Sequence, residues 1–450
     1  CNGMPEYRLS ELQYQPDPIP WLNAVRGLGQ PVLLDSADNR THLGRYSILS
    51  AGPLRRITPH GDATQTLNSL REALRELGPA TWPEYRQLPF GAGAIGYLAY
   101  DYGRQLEMLP SIARQDITLP DLSFALYDWS LVTDHHEQRS WLVCHPHVDS
   151  QRQQMLLDRL RRSHALPTAF YLRAPFKAEQ SRAEYAAAFT RIQDYIQAGD
   201  CYQINLAQRF STGFAGDPLS AYAQLREASP TPFSAYLETP EATLLSLSPE
   251  RFMEVRDGHV ETRPIKGTRP RGSTTEQDLS LARELQECSK DRAENLMIVD
   301  LLRNDLGRNC LPGSIRVPEL FSLESYPNVH HLVSSITGQL RPECDAINLL
   351  QSAFPGGSIT GAPKIRAMQI IEELEPVRRS LYCGSVGYIG SEGQLDLNIA
   401  IRSLVCANQQ VYCWGGGGIV ADSDVDAEYQ ETLTKIDNLL RALPVQARDR

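Results

Sequence analysis

A lysine beside a glycine is the first residue whose setting suggests chemistry. Lys266 precedes Gly267 in ETRPIKGTRPRG. It could be a solvated loop lysine or a nucleophile close to a ligand, because glycine lets the backbone approach closely. Glu250 lies in SLSPERF, an apolar strand context where partial burial would raise its pKa and let it act as an acid. A structural ion pair, for instance with Arg251 or Arg263, is the alternative for this carboxyl.

Two predicted helices each carry a pair of acids three residues apart. Asp291 and Glu294 lie in KDRAENLMIVDLLRNDLGR, and Glu428 and Glu431 lie in DAEYQETLTKIDNLL. Acids at this spacing share one face of a helix. Two such faces could converge on a hard cation, and an incomplete cage of oxygens suits Mg²⁺. Taken singly, each pair is more simply a solvated face with ion pairs, so spacing alone does not assign a metal.

Two glycine-rich stretches and one arginine could bind an anion. The stretch 354–376, FPGGSITGAPKIRAMQIIEELEP, enters a predicted helix whose first amides could hold an anion or form a plain turn. It is not a nucleotide-binding P-loop, because Ala-Pro follows Gly361. The glycines of 413–423, CWGGGGIVADS, permit either a close ligand approach or a tight bend. Arg402 could bind a carboxylate through two nitrogens or form a surface ion pair.

The bulk composition is that of a globular protein with two to four domains or one interwoven domain. The 450 residues are 42% hydrophobic, and the formal charge is -10. This charge argues against non-specific nucleic-acid binding but not against a small anionic substrate. Nine scattered cysteines without a C-x-x-C pair argue against a disulfide framework. We expect a cytoplasmic protein, because neither a signal peptide nor a membrane-spanning stretch is visible.

The elements that must position these residues read as α+β. In the first part, 31–37 and 45–51 look like strands, 90–104 looks like a buried strand, and a helix follows near 149–162. FALYDWSLVTDHHEQRSWLVCHP reads as a strand, a polar turn and a strand. A stretch without periodicity predicts a domain boundary around 165–180.

The second part opens with a helix, SRAEYAAAFTRIQDYIQAGD, and an alternating strand, CYQINLAQRF. A long helical stretch follows over about 276–306, then an antiparallel meander, and a last helix runs over about 425–442. Strand runs separated from helix runs predict mainly antiparallel sheets.

Several motifs together resemble one family. SPERF, RPIKGTRPRG, KDRAENLMIVDLLRNDLGR, HHLVSSITG, FPGGSITGAPK, CGSVGY, IAIRS, GGGIVADS and YQET occur in the order seen in chorismate-utilising enzymes. The resemblance covers about 180–440 closely, and LLDSA, GRYS and GAGAIGYLAYDYGR extend it more loosely toward the N-terminus. It implies an α+β fold in which two large, mainly antiparallel β-sheets pack as a sandwich with helices on the outside. It also implies an N-terminal region over 1–170 and a chorismate-binding catalytic domain over 180–445.

The residues around the lysine resemble one branch of this family. Members that make anthranilate usually read P-I-A-G-T, whereas this chain reads P-I-K-G-T, as the aminodeoxychorismate-forming members do. The resemblance implies that Lys266 attacks C2 of chorismate while Glu250 helps the C4 hydroxyl to leave. Ammonia then enters at C4 and expels the lysine, giving 4-amino-4-deoxychorismate for p-aminobenzoate and folate synthesis. Because an attacking amine must be neutral, we expect the pKa of Lys266 to be lowered.

The same resemblance implies the rest of the site. Glu294 and Glu431 would ligate Mg²⁺, with Asp291 and Glu428 supporting it through water. The implied substrate contacts are Gly267, Thr268 and His331 for the ring, and Tyr382, Arg402, Gly416, Gly417 and Gly418 for the enolpyruvyl carboxylate.

LLDSA resembles the L-L-E-S element of a tryptophan pocket, with Asp35 in place of the usual Glu. The residues expected to line that pocket are Ser36, Arg45, Tyr46, Pro232, Phe233 and Ser234. In the aminodeoxychorismate-forming branch, bound L-tryptophan is expected to be structural rather than inhibitory.

No glutaminase pattern is visible in the chain, so the resemblance implies that ammonia comes from a separate glutamine amidotransferase subunit. Anthranilate synthase component I is the nearest alternative, and Lys266 argues against it because it would stand where nitrogen must be added. Isochorismate or salicylate synthesis would place a lysine base elsewhere. A non-catalytic tryptophan-binding subunit would be expected to lose some of the acids, the lysine or the arginine of the site. A pyridoxal-phosphate enzyme is a further alternative, but the four acids do not serve its chemistry.

Overall fold

A computed structural model of the chain describes residues 3–37, 43–162 and 165–447, and its elements are named here in chain order. The strands are β1 (Arg8–Leu12), β2 (Val32–Asp35), β3 (Tyr46–Ser50), β4 (Arg55–Ile57), β5 (Gly93–Leu98), β6 (Leu122–Tyr127), β7 (Trp129–Asp134), β8 (Arg139–Cys144), β9 (Phe170–Leu172), β10 (Lys177–Ala178), β11 (Gln203–Gly216), β12 (Phe233–Glu238), β13 (Thr243–Ser248), β14 (Arg251–Arg256), β15 (His259–Arg263), β16 (Ile265–Pro270), β17 (Arg316–Ser325), β18 (Val329–Gln339), β19 (Gly361–Ala362), β20 (Ser385–Gly390), β21 (Leu395–Asn398), β22 (Ser403–Ala407) and β23 (Gln410–Ile419). The α-helices are α1 (Ile19–Val25), α2 (Ala63–Leu77), α3 (Gly103–Leu106), α4 (Ser150–Arg161), α5 (Arg182–Gln197), α6 (Pro218–Ala228), α7 (Thr275–Glu287), α8 (Ser289–Gly307), α9 (Ala346–Ala353), α10 (Lys364–Leu374) and α11 (Val425–Leu440). Short 3-10 turns cover Arg26–Leu28, Tyr100–Tyr102 and Gly357–Ile359.

Two large sheets organise these strands. The 13-stranded sheet has the order β1-β8-β7-β3-β2-β12-β13-β22-β23-β11-β10, with β9 and β19 also pairing to β11. The 10-stranded sheet has the order β16-β18-β15-β14-β21-β20-β5-β6-β4, with β17 pairing to β18. The named strands pair antiparallel. The α+β prediction with two large antiparallel sheets is confirmed.

Alternation along β2 explains how the sheets and helices pack. Val32 belongs to a core that also contains Phe124 of the second sheet. Leu33 belongs to a different core, with Leu22 of α1 and Leu156 of α4. Because successive side chains of a strand point to opposite faces, one face of β2 packs on the other sheet and one face packs on helices.

Two element predictions need correction. The helix predicted over 276–306 is two helices, α7 and α8, because Cys288 has extended backbone angles (φ -66°, ψ 111°). The first strand predicted in FALYDW is two strands separated by Asp128, because the chain crosses there from the 10-stranded sheet (β6) to the 13-stranded sheet (β7). The predicted helices near 149–162 and 425–442 are confirmed as α4 and α11.

Both sheets combine strands from the two sides of the predicted boundary at 165–180. In the larger sheet β2 pairs with β12, and in the smaller sheet β5 pairs with β20. The two chain segments therefore share both sheets. Their division into an N-terminal region and a catalytic domain stays a prediction. Within the described ranges, none of the helices combines the length and the apolar character needed to cross a membrane.

Candidate active site

Lys266 is the second residue of β16, and its side chain is buried. Its Nζ donates a hydrogen bond to the main-chain carbonyl of Ser358. Burial lowers the pKa of Lys266, and the charges of Glu294 and Glu250 offset part of that effect. The neutral amine that nucleophilic attack requires is therefore favoured by the position of this strand.

Glu250 lies beside this lysine, just before β14, and is only 4% exposed. Its Oε1 accepts a hydrogen bond from the Ser358 hydroxyl at 2.9 Å and from the Ile265 amide at 3.3 Å. Burial raises the pKa of Glu250 from 4.5 to about 7, although Ser358 and Lys266 counteract it. A carboxyl with a pKa near neutrality can donate a proton to a leaving group.

Neither arginine considered as a partner for Glu250 pairs with it among the described residues. Arg251 pairs with Asp396 at 3.1 Å, and Arg263 pairs with Glu324. The ion pairs of Glu250 with these two arginines are therefore not formed.

Gly267 brings a helix close to the lysine strand. Its φ is +110°, and a Cβ built there would lie 2.9 Å from Leu285 Cδ1 and 3.1 Å from Asp291 Cγ. A side chain at this position would be strained and would collide with the neighbouring helices. Glycine thus lets Asp291 of α8 lie directly beside the strand that carries Lys266.

The two acid-bearing helices approach each other close to β23. A Cβ at Gly417 would lie 3.0 Å from Glu428 Oε2 and 3.8 Å from Glu431 Oε2. Burial and the Glu431 charge raise the pKa of Glu428 to about 7. Burial also raises the pKa of Glu294, and the charges of Asp291 and Glu431 add to this. Acids from α8 and α11 therefore act on each other electrostatically.

Cationic side chains lie among these acids. Lys290 is 3.9 Å from Glu428, and Lys435 is 3.4 Å from Glu431. Within residues 3–37, 43–162 and 165–447, no three His, Cys, Asp or Glu side chains are arranged to hold a metal ion as they stand. The all-oxygen donor set and the raised pKa values of Glu294 and Glu428 nevertheless fit a hard divalent cation.

The predicted ring contacts lie on paired strands. Thr268 of β16 is opposite His331 of β18. His331 is 1% exposed, and neither ring nitrogen has a hydrogen-bond partner within the described part of the chain. Burial, together with the charge of Arg402, lowers the pKa of His331 to about 3, so the ring is neutral. A buried ring with two unpaired nitrogens is suited to a ligand contact.

Arg402 is a partly buried cation, and no ion pair to it is formed by an acid within the described part of the chain. Its backbone has φ +49°, and burial alone lowers the pKa of its guanidinium. A cation that is partly removed from water and has no acidic partner is stabilised when an anion pairs with it. The structure therefore gives Arg402 the setting of a carboxylate-binding residue.

Tyr382 and the glycines of β23 lie together. The Tyr382 ring stacks on Trp414 at 5.7 Å, and its hydroxyl is 2.7 Å from a Cβ built on Gly416. The ladder between β22 and β23 ends at Cys413, so the next residues of β23 have no strand on that edge. The Gly416 carbonyl already accepts a hydrogen bond from Lys435 Nζ at 2.7 Å, so the remaining backbone groups of Gly416 to Gly418 on this edge are available to a ligand.

Ser358 and Asn205 are residues that sequence reasoning missed. The carbonyl of Ser358 accepts a hydrogen bond from Lys266, and its hydroxyl donates to Glu250. The side-chain amide of Asn205 donates to the same Ser358 carbonyl at 3.0 Å. The available signal is the glycine-rich stretch FPGGSITGAPK, whose composition indicates an anion-binding helix entry or a plain turn but not a contact with Lys266.

A separate cavity of about 380 Å³ lies between the sheets. Its lining includes all six residues predicted for the tryptophan pocket: Ser36, Arg45, Tyr46, Pro232, Phe233 and Ser234. Asp35 also contributes, and it is neutralised by Arg226 at 2.6 Å. Arg251, the neighbour of Glu250, lines the same cavity.

Comparison with known proteins shows the family of the chain. The family model described as "chorismate binding enzyme" matches residues 29–441. The chain is 43% identical to aminodeoxychorismate synthase component 1 of Salmonella typhimurium, covering 96% of this chain and 97% of that protein. It is 45% identical to the Escherichia coli protein of the same name, covering 90% and 87%. It also resembles the crystal structure of anthranilate synthase component I from Streptococcus pneumoniae, with a TM-score of 0.78 and 32% identity over 88% of this chain and 92% of that one.

The chain therefore belongs to the chorismate binding enzyme family.

Proposed function

We propose that this chain converts chorismate and ammonia to 4-amino-4-deoxychorismate, the precursor of p-aminobenzoate. The observation that carries the proposal is the pair formed by Lys266 and Glu250, both buried and both bonded to Ser358. The full-length similarity to two proteins named aminodeoxychorismate synthase component 1 supports it.

In the first step, the Lys266 amine attacks C2 of the ring. The two ring double bonds shift toward C4, the C4–O bond breaks, and Glu250 gives its proton to the oxygen, which leaves as water. In the second step, ammonia attacks C4, the double bonds shift back, and the C2–N bond to Lys266 breaks. The lysine nitrogen loses a proton to the Glu250 carboxylate after the first step and regains it from Glu250 as it leaves C2. The proton released by the new ammonium group at C4 then returns Glu250 to its acid form.

Positive and polar groups in this site suit a substrate with two carboxylates. Arg402, Tyr382 and the backbone groups of Gly416 to Gly418 that neither β22 nor Lys435 contacts would hold the enolpyruvyl carboxylate. Thr268 and His331 would line the ring.

Glu294 and Glu431 would hold Mg²⁺, with Asp291 and Glu428 supporting it. When bound, the ion would neutralise the ring carboxylate, and displacement of Lys290 and Lys435 would free the acids that they now contact.

Ammonia would come from a separate glutamine amidotransferase subunit, which fits the "component 1" in the names of the relatives. The cavity that contains Ser36 and Tyr46 would bind L-tryptophan as a structural ligand. A cytoplasmic location stays a prediction.

Product identity tests the proposal. The wild-type chain and Lys266→Ala are incubated with chorismate, Mg²⁺ and an ammonium salt, and the products are separated by mass. We expect the wild type to give an aminated product that keeps its enolpyruvyl group, and the variant to give at most a trace. Fluorescent anthranilate with free pyruvate from the wild type would refute the proposal, and no turnover at all would favour a non-catalytic subunit.

A further inference from the structure

Ser358 contacts both proposed catalytic side chains. Its hydroxyl donates to Oε1 of Glu250 at 2.9 Å, and its main-chain carbonyl accepts from Nζ of Lys266. Its side chain is buried, with 6% of the residue exposed. One residue therefore links the relative positions of the nucleophile and the acid.

Hydrogen bonds hold the backbone around this serine in place. The side-chain Nδ2 of Asn205 donates to the same carbonyl at 3.0 Å. The main-chain N–H of Asn205 donates to the main-chain carbonyl of Thr360 at 2.9 Å. Arg379 donates to the carbonyl of Ile359 at 2.9 Å and to that of Asn205 at 2.7 Å. Donors from β11 and from the segment before β20 thus converge on one short turn.

Packing also restricts the turn. A Cβ at Gly357 would lie 2.5 Å from Leu301 of α8, and a Cβ at Gly356 would lie 2.9 Å from Ile399. The backbone therefore lies in direct contact with the acid-bearing helix on one side and with the end of β21 on the other. Groups held by both packing and hydrogen bonds are preorganised.

We propose that Ser358 is a positioning residue, whose hydroxyl orients Glu250 toward the C4 oxygen and whose carbonyl orients the Lys266 amine toward C2. The inference rests on the proposed function. A neutral amine keeps N–H groups, so it can donate to the carbonyl while its lone pair points at the ring. After Glu250 has given its proton to the leaving oxygen, the serine hydroxyl donates to the carboxylate that remains.

The serine hydroxyl also affects the pH range in which the acid works. A hydrogen bond donated to a carboxylate favours the charged form, so its loss raises the pKa of Glu250 further above its value of about 7. The ionisable groups that act on Glu250 or are acted on by it are Lys266 of β16 and Cys383, which precedes β20. The proposed reaction needs protonated Glu250. In a variant without the serine hydroxyl, the fall of activity on the alkaline side should therefore occur at a pH about one unit higher.

The test compares Ser358→Ala with Ser385→Ala. Ser385 is also buried, and its hydroxyl has no hydrogen-bond partner within the described ranges, so its replacement is a matched control. The values of kcat and KM for chorismate are measured from pH 6 to 9, with the concentration of free NH₃ held constant. We expect Ser358→Ala to lower kcat by about 10- to 100-fold with little change in KM. We also expect the alkaline limb, the fall of kcat at high pH, to shift to higher pH. Ser385→Ala keeps both wild-type values, and Ser358→Thr restores the alkaline limb.

A wild-type kcat and alkaline limb in Ser358→Ala would overturn the inference. So would an equal loss of kcat in Ser385→Ala with no shift of the limb in either variant. If Ser358→Ala does not reach the wild-type melting temperature, Ser358→Cys gives the same two readouts, because it keeps the volume but donates only weakly. Absence of aminated product from the wild type is a different result, since it would remove the proposed function and this inference with it.

Discussion

Replacing Glu250 by glutamine is expected to stabilise the chain above pH 7 while removing most of its activity. The carboxyl is 4% exposed, and its pKa rises from 4.5 to about 7 on folding. At 1.36 kcal/mol for each pH unit, a difference of about 2.5 units makes the ionised side chain cost the folded state about 3 kcal/mol. Glutamine carries no charge, so the variant does not have this cost.

The sign of the effect follows from protonation. Below pH 4.5 the carboxyl is protonated in both states, so it costs nothing; the cost grows as pH rises from 4.5 to 7 and is constant above that. The free energy of unfolding of the wild type and of Glu250→Gln is measured by urea titration from pH 5.5 to 8.5. The advantage of the variant should grow with pH and level off at about 3 kcal/mol.

Glu343→Gln serves as a matched control, because Glu343 is exposed. It should show no gain in stability that depends on pH. In the amination assay, Glu250→Gln should lower kcat by about 10²- to 10⁴-fold, the usual contribution of a general acid. A stability difference that is flat with pH, or a wild type that is the more stable at pH 8, would refute the reasoning about the buried carboxyl.

Three other predictions follow from the site and the cavity. Arg402→Met should raise KM for chorismate by about 30- to 100-fold, because a charge-assisted pair with a carboxylate is lost. Arg75 is exposed, so Arg75→Met should leave KM unchanged, and equal KM values in both variants would contradict the prediction. Mg²⁺ should raise the melting temperature of the wild type but not that of Glu294→Gln, and a chelator should stop product formation; a wild-type melting temperature that ignores Mg²⁺ would count against the four-acid site. L-tryptophan should raise the melting temperature of the wild type, and Ser36→Phe should abolish that shift by filling the cavity; no response in the wild type would exclude tryptophan as its ligand.

The sequence by itself determined the features that depend on neighbours along the chain. Lys266 next to Gly267, and acids three apart at Asp291 and Glu294, are visible because a short element fixes the spacing of its own side chains. The ordered motifs indicated the family, and their strand and helix periodicities indicated antiparallel sheets. Helix α11 ends within two residues of its predicted end because periodic apolar positions and an N-terminal Asp424 cap define it locally.

Only the tertiary structure decided how distant segments meet. The Ser358 carbonyl reaches Lys266 across 92 residues, and its hydroxyl reaches Glu250 across 108. No local pattern predicts that contact, because it depends on which strands pair and on how α8 packs against the turn. The break between α7 and α8 was missed for a related reason: Cys288 is extended while the residues around it continue a helical pattern.

Burial was likewise decided by the fold. The pKa values of Glu250, Lys266 and His331 are all shifted mainly by removal from water, and sequence shows a residue's type but not its exposure. The sequence thus determined which groups could react, and the packing of two sheets determined which of them are buried, close together and shifted in pKa toward the protonation state that the proposed chemistry needs.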